Sequence, residues 1–191
     1  LPTIEFVHGY VTVEGNKIGK SLGNAIHPDE VIKKYGIDAF RYYLLKEIPA
    51  YGDGDFAFSR MDEIYKSDLQ NGLGNLVSRV AAMVEKSDSS FEVVDHTLST
   101  ETQTALADYK FDVALSEVWA RIKKADQYVS EKRVWELKDK EREDALVHLV
   151  SEIRQIATDL QPFLPETAQK IAEIYNKEKI VKGEGLFPRL V

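Results

Sequence analysis

The sequence predicts a mainly α-helical protein that begins with a short stretch of β-structure. Apolar side chains recur at helical spacing through the C-terminal two-thirds of the 191 residues, which predicts a helical bundle. Residues 4–7 and 10–13 are instead rich in β-branched and aromatic types, and a turn-forming cluster at 14–16 follows them. With 43% hydrophobic residues, the chain is large enough for a well-buried core and for one or two domains.

A lysine-containing loop follows the predicted strand. Lys17 and Lys20 supply two mobile positive charges, while Gly19, Ser21 and Gly23 allow backbone N–H groups to approach an anion closely. This combination predicts a polyphosphate site, and ATP is the expected ligand. The alternative is a solvated hairpin loop that binds nothing.

Helices account for most of the remaining chain. Pro28 begins a short helix that ends at Gly36, and Asp38 is placed to cap a second one. The longest predicted helix runs from about 59 to 86, and a polar, serine-rich connection at 87–94 follows it. Later apolar stripes predict three more helices: one through Leu115, Val118, Trp119, Ile122, Ala125 and Val129; one from 143 to 160 through Leu146, Leu149, Ile153 and Ile156; and one from Pro165 through Ile171, Ile174 and Tyr175.

Composition excludes several kinds of site. The chain has no cysteine, and its four histidines lack the close spacing of metal ligands, so no metal site is expected. It has no signal segment and no apolar run near the ~20 residues of a membrane helix, so we expect a cytoplasmic protein without a membrane partner. It begins without methionine in the middle of a strand pattern, and we expect it to be a piece of a longer protein.

Charge gives two opposing indications about nucleic acid. The net charge of −7 argues against a nucleic-acid partner for the surface as a whole. Between Arg121 and Arg142, however, eight basic residues accompany five acidic ones. That stretch either faces a phosphate backbone or is an ordinary solvated helix face.

The loop Lys17-Ile18-Gly19-Lys20-Ser21, with the Leu-Gly-Asn that follows it, resembles the KMSKS signature of class I aminoacyl-tRNA synthetases. Later motifs narrow the resemblance to methionyl-tRNA synthetases, and it covers nearly the whole chain. The resemblance implies that residues 1–60 are the end of a Rossmann-type catalytic domain with the lysine loop and stem-contact helices. Residues 61–191 would then be a helical anticodon-binding domain with a tail, and the chain would be the C-terminal part of the enzyme. The motifs are DAFRYYLL at 38–45, DGDF at 53–56, DL at 68–69, LGNL at 73–76 and LFPR at 186–189.

The activity implied by the resemblance is that of a methionine–tRNA ligase. Such an enzyme forms methionyl-adenylate from methionine and ATP, with Mg²⁺, and then transfers methionine to tRNA(Met). Lys17 and Lys20 would be catalytic, since mobile ammonium groups stabilise charge that accumulates on the pyrophosphate leaving group. Together with Ser21 they would bind ATP. Nothing in the sequence matches the family's histidine-rich signature, methionine pocket or zinc-binding insertion, and His8 is not a substitute, so we expect this chain alone not to aminoacylate.

The resemblance also implies a set of residues that reads the CAU anticodon: Asn71, Asn75, Arg79 and Trp135. At spacings of four, the first three share one helix face, opposite the buried leucine and valine stripe, so we expect them to be exposed. Amides and a guanidinium suit the edges of splayed bases, and an exposed indole beside basic residues suits stacking. Trp119 lies on an apolar stripe and is expected in the core. Without the resemblance, these residues favour ordinary solvated helix decoration.

Two departures from the family are expected to weaken anticodon binding. Val134 stands where a proline is usual, which would loosen the placement of the Trp135 ring, and Asp126 puts a negative charge near the expected RNA path. Three alternatives remain open: a noncatalytic tRNA-binding helical module, a purely structural bundle, and a fragment of another class I synthetase such as the isoleucyl or leucyl enzyme.

Overall fold

The computed structural model of the protein describes residues 2–87 and 89–190, including the backbone but not the side chain of Lys20. A small three-stranded sheet opens the fold. Strand β1 lies in the middle, antiparallel to β2 and parallel to β3, and the parallel pairing requires a crossover, which helices α1 and α2 supply. The bounds are Val11–Val13 for β1, Asn16–Lys17 for β2 and Gly54–Phe56 for β3.

The short strand predicted before the lysine loop is confirmed at Val11–Val13, but the β-rich residues 4–7 do not belong to it. Residues 2–10 contain no regular strand, and the side chains of Ile4 and Val7 are 66% and 76% exposed. At the end of this segment the Gly54 N–H donates to the Tyr10 carbonyl at 2.9 Å, and earlier in it the Phe6 ring stacks on Tyr109 with ring centroids 5.0 Å apart. β-rich composition alone does not make a strand, because a strand also needs a neighbour for its backbone hydrogen bonds.

The helices agree with the predicted ones in position, with three differences. A helix at 100–107 was not predicted, the helix predicted from 143 begins at Asp139, and the long helix is not regular throughout. The bounds are Pro28–Tyr35 for α1, Ile37–Glu47 for α2, Phe58–Ile64 for α3, Asn75–Glu85 for α4, Thr100–Ala107 for α5, Phe111–Glu131 for α6, Asp139–Leu160 for α7 and Pro165–Tyr175 for α8.

The long helix changes its winding in the middle. Between α3 and α4, the segment Tyr65–Gly74 is π-helical, so that the Asn75 N–H donates to the carbonyl of Gln70, five residues earlier. We call this the π segment. A Cβ atom at Gly74 would lie 3.0 Å from the Leu69 carbonyl oxygen, so the glycine fits where a side chain would crowd the wider turn. The predicted extent of the helix is confirmed, and its uniform 3.6-residue period is wrong.

The sequence predicts that Asp38 caps α2, and this prediction is wrong. Gly36 occupies the cap position of α2, and the Asp38 carboxylate instead accepts the Thr167 N–H at 2.6 Å, in the first turn of α8. From the same face of α2, the Arg41 Nε donates to the Phe163 carbonyl at 2.7 Å. The side chains of α2 therefore fasten the turn between α7 and α8.

One hydrophobic core joins these elements. Helix α6 packs against α2, α5 and α7, and α7 packs against α8. The core contains buried side chains from the sheet, such as Val13 and Phe56, as well as from the bundle, so the division at residue 60 remains a prediction. Among the described residues, none of the helices is long and apolar enough to cross a membrane.

Candidate functional site

The lysine loop begins directly at the hairpin formed by β1 and β2. The hairpin turn consists of Glu14 and Gly15, both with positive φ (50° and 74°), as two-residue turns that match the twist of the strands require. Lys17, in β2, has an exposed side chain, and Ser21 is exposed in a 3₁₀ turn that spans Lys20–Leu22. The side chain of Lys20 lies outside the described part. The loop thus presents its polar residues to solvent.

Sequence reasoning missed the residue that closes this loop. The Asn24 Oδ1 accepts the Gly19 N–H at 3.0 Å, and the Asn24 Nδ2 donates to the Lys17 carbonyl at 3.0 Å. A further bond, from the Leu22 N–H to the Gly19 carbonyl at 3.0 Å, closes the 3₁₀ turn. An asparagine in a loop that carries glycines is a recognised turn signal, but its partners cannot be read from the sequence.

Carboxylates at and before β3 hold the hairpin in place. The Asp55 Oδ1 accepts the Gly15 N–H at 2.8 Å as well as the Thr12 hydroxyl, and the Asp53 Oδ1 accepts the Tyr10 N–H at 2.7 Å. Between them, Gly54 leaves no room for a side chain, because a Cβ atom there would lie 2.6 Å from the Ile48 side chain. This part of the DGDF motif therefore fixes the strand that leads to the lysines.

The predicted reading residues lie along the long helix. Asn71, in the π segment, and Asn75, the first residue of α4, are exposed, whereas Leu73 between them is fully buried. Arg79 is half-buried, and its Nη1 donates to the Asp126 Oδ1 of α6 at 2.8 Å. The structure therefore exposes Asn71 and Asn75, as expected, whereas Arg79 is half-buried rather than exposed. The ion pair gives Asp126 a partner that sequence reasoning did not assign.

Trp135 lies on the connection between α6 and α7, and it is 48% exposed. The turn before it is a Schellman motif. The Arg133 N–H donates to the Ser130 carbonyl at 3.3 Å, the Val134 N–H donates to the Val129 carbonyl at 3.2 Å, and Arg133 has a φ of 48°. The Val134 side chain is fully buried. Val134 is therefore held by both its backbone and its side chain, and whether the absence of a proline loosens the placement of the Trp135 ring stays a prediction.

The indole of Trp135 sits beside a small charged pair. Its Nε1 donates to the Glu136 Oε1 at 3.2 Å, and the same carboxylate oxygen pairs with the Arg133 Nη2 at 2.7 Å. The indole edge is thus hydrogen-bonded, while about half of the residue's surface faces solvent. An aromatic face held in this way is available for stacking.

Trp119 packs against the core, as expected. It stacks on Tyr42 of α2, with ring centroids 4.2 Å apart and an interplanar angle of 22°. The Tyr42 hydroxyl donates to the Asp68 Oδ2 of the π segment at 2.7 Å, and Lys46 pairs with the same oxygen. Burial raises the pKa of Tyr42, and the nearby Asp68 charge raises it further. Helices α2 and α6 are therefore both joined to the helix that carries the asparagines.

The basic stretch from Arg121 to Arg142 is partly engaged with other groups. Arg121 pairs with Glu152 of α7 at 3.0 Å, and the Arg142 Nη2 donates to the Met83 carbonyl at 3.3 Å. Lysines 123, 124 and 132 have exposed side chains. Whether this face meets a phosphate backbone stays a prediction.

Comparison with known proteins relates the chain to one group of enzymes. The family described as "tRNA synthetases class I (M)" matches residues 1–81. The methionine–tRNA ligase of Clostridium acetobutylicum is 38% identical over an alignment that covers all of this chain and 35% of that protein, and that of Bacillus subtilis is 34% identical, with 100% and 34% covered. The chain thus spans about a third of the length of these relatives. These matches do not support the expected C-terminal placement of the chain in the enzyme.

Solved structures show the same fold. The Mycobacterium tuberculosis methionyl-tRNA synthetase in complex with methionyl-adenylate superposes with a TM-score of 0.77, at 24% identity, over 95% of this chain and 43% of that one. The apo form of that enzyme superposes with a TM-score of 0.73 at 22% identity. At this level of identity the likeness establishes the fold and leaves the roles of individual residues open.

Proposed function

We propose that this chain belongs to the methionyl-tRNA synthetase family and supplies two parts of a methionine–tRNA ligase: a loop that holds the phosphates of ATP, and a helical surface that reads the anticodon of tRNA(Met). Residues 1–60 carry the first part and residues 61–191 the second. Mg²⁺ accompanies ATP, and methionine binds elsewhere in the enzyme. The geometry of both parts supports these roles.

The lysine loop has the chemistry of a phosphate site. Lys17 is exposed at the end of β2, where Asn24 holds its carbonyl, and Asp55 holds the hairpin turn that precedes this strand. Its ammonium group can therefore reach an anion while its backbone stays fixed. Lys20 and Ser21 stand on the adjoining 3₁₀ turn. Charge that develops on a departing pyrophosphate is stabilised when cations contact it more closely in the transition state than in the bound substrate. Lys17 and Lys20 are assigned this role.

The single observation that carries the anticodon-reading proposal is the exposure of Asn71, Asn75 and Trp135 in a fold whose apolar neighbours are buried. Exposed amides offer both donors and acceptors to base edges, and an exposed indole offers a stacking face. Arg79 adds a planar guanidinium, and its pairing with Asp126 leaves four of its five N–H donors uninvolved in that bond. Asp126 therefore orients Arg79 and at the same time neutralises part of its charge.

The test is binding of the 191-residue chain to two RNA stem-loops with identical stems, one with a CAU anticodon and one with a changed anticodon, at a stated salt concentration. Identical stems keep the phosphate contribution equal, so the difference in affinity reports base recognition. Asn75→Ala and Trp135→Ala are compared with Gln169→Ala, which removes an exposed amide from α8. Stacking contributes about 1–3 kcal/mol per base, so we expect Trp135→Ala to weaken CAU binding roughly tenfold.

The outcomes separate the competing functions. A preference for CAU that is lost in Asn75→Ala and Trp135→Ala but kept in Gln169→Ala supports the proposal. Equal binding of both loops that no variant changes would leave a tRNA-binding module without anticodon recognition. Preference for a different anticodon would identify another class I synthetase.

A further inference from the structure

We propose that Asn24 is a positioning residue for the lysine loop: its side-chain amide holds the backbone on which Lys17 and Lys20 meet a triphosphate. This inference rests on the proposed ATP-binding role of the loop. It assigns a function to a side chain that carries no charge and that is not among the lysines and serine expected to contact ATP.

The side-chain amide of Asn24 pairs with the loop backbone as a neighbouring strand would. Strand β2 ends at Lys17, so the backbone beyond it lacks the regular pairing that β1 provides. The amide of Asn24 replaces that pairing, because its oxygen accepts the Gly19 N–H and its nitrogen donates to the Lys17 carbonyl, both at 3.0 Å. An asparagine amide has the same donor and acceptor as a peptide group, and here it uses both on one face of the loop.

These bonds fix the backbone next to both lysines. The Lys17 carbonyl belongs to the residue that carries the first ammonium group, and Gly19 immediately precedes Lys20. Gly19 is held from two directions, since its N–H donates to Asn24 and its carbonyl accepts the Leu22 N–H. The Asn24 side chain thus holds the backbone between Lys17 and Lys20 at two points, and Gly23, with a φ of 65°, precedes it in the chain.

A positioning role differs from a purely structural one in what it affects. The loop is largely exposed and contributes little to the core, so losing the Asn24 bonds should leave the thermal midpoint of unfolding nearly unchanged. Misplacement of the contacting groups should instead weaken phosphate binding, just as misplacement of reacting groups by about 1 Å can lower a catalytic rate about a hundredfold. We therefore expect a roughly tenfold or greater loss of affinity in Asn24→Ala.

The experiment is an NMR titration of the 191-residue chain with inorganic tripolyphosphate at constant ionic strength, which detects millimolar binding residue by residue. Four proteins are compared: wild type, Asn24→Ala, Lys17→Ala and Asn16→Ala. Asn16 is the matched control, since its Nδ2 donates to the Glu14 carbonyl at 2.9 Å within the hairpin turn and does not reach the loop. Hydrogen exchange of the Gly19 amide and the thermal midpoint are recorded for each protein.

Three results are possible. Weakened binding in Asn24→Ala, with faster exchange at Gly19, an unchanged thermal midpoint and normal binding in Asn16→Ala, supports the inference. Weakened binding in Lys17→Ala but unchanged binding in Asn24→Ala overturns the role of Asn24 and leaves the phosphate site standing. If tripolyphosphate does not shift the loop resonances of the wild type, or if Lys17→Ala binds equally well, the ATP-binding role fails and this inference fails with it.

Discussion

Replacing Val134 by proline tests whether the turn before Trp135 is held as the structure shows. Proline has no N–H, so the bond to the Val129 carbonyl is lost, at a cost of about 1 kcal/mol. A residue before proline is driven towards extended backbone, but Arg133 has a φ of 48°, and this conflict adds about 1–3 kcal/mol. The side chains are similar in size, so the burial terms nearly cancel. We expect the free energy of unfolding to fall by about 2–4 kcal/mol.

The assay is urea unfolding followed by circular dichroism, with the slope of the transition checked for constancy. Arg133→Gly is the matched variant, because glycine adopts positive φ without steric cost; it should stabilise the protein by about 0.5–1 kcal/mol. The two substitutions are adjacent and are expected to act in opposite directions. Val134→Pro should also weaken binding to the CAU stem-loop, since it moves the neighbouring Trp135.

Either of two results would refute this reasoning. An unchanged or increased stability of Val134→Pro would show that the hydrogen bond to Val129 and the conformation of Arg133 do not determine the turn. A loss of stability in Arg133→Gly would contradict the positive φ at that position. A loss in both variants would point to the side-chain packing of the connection instead.

Three further substitutions test other parts of the structure. Gly74→Ala should lower the free energy of unfolding by about 1–2 kcal/mol, because its Cβ would lie 3.0 Å from the Leu69 carbonyl oxygen. This cost outweighs alanine's higher helix propensity. Increased stability in urea unfolding would argue against the π segment. Burial raises the pKa of Asp68, but hydrogen bonds from Lys46 and other donors lower it by more, so that the pKa lies below its ordinary value of 3.8. Its stabilisation is therefore present above the unfolded pKa and is lost as pH falls through the folded pKa, so acid titrations should show a steeper loss in wild type than in Asp68→Asn. Arg154→Met should cost about 3–5 kcal/mol, since the buried guanidinium donates to backbone carbonyls including that of Tyr175, and a calorimetric scan showing an unchanged unfolding midpoint would contradict this role.

Helical periodicity predicted the regular helices of this fold, because such helices depend mainly on local sequence. It failed where the structure depends on partners. Helix α5 escaped detection because its sequence has few apolar residues, although Ser99 caps it by accepting the Thr102 N–H, a signal present in the sequence. The π segment carries no distinctive sequence pattern apart from its glycines. The reason for a glycine at 74 is seen only in the structure, where a side chain would crowd the carbonyl five residues earlier.

The same distinction applies to the candidate site. Exposure of Asn71 and Asn75 followed from their spacing along one helix, whereas the bond between Arg79 and Asp126 joins residues 47 apart in the sequence and could not be inferred. The departure at Asp126 was expected to place an unfavourable charge in the RNA path. In the structure the Asp126 carboxylate is paired with Arg79. A substitution at Asp126 would therefore also remove the hydrogen bond that orients the Arg79 guanidinium.

The contacts of α2 connect the two proposed activities within one packed unit. This helix follows the lysine loop in the chain, and through Tyr42 and Lys46 it binds Asp68, three residues before Asn71. Trp119 closes the same cluster from α6 by stacking on Tyr42. Because Asp68 is half-buried and accepts from several donors, the π segment cannot shift relative to α2 without breaking charge-assisted hydrogen bonds. The first of the proposed anticodon-reading residues is therefore positioned by the helix that leads away from the lysine loop, and this arrangement depends on tertiary contacts that helical periodicity does not encode.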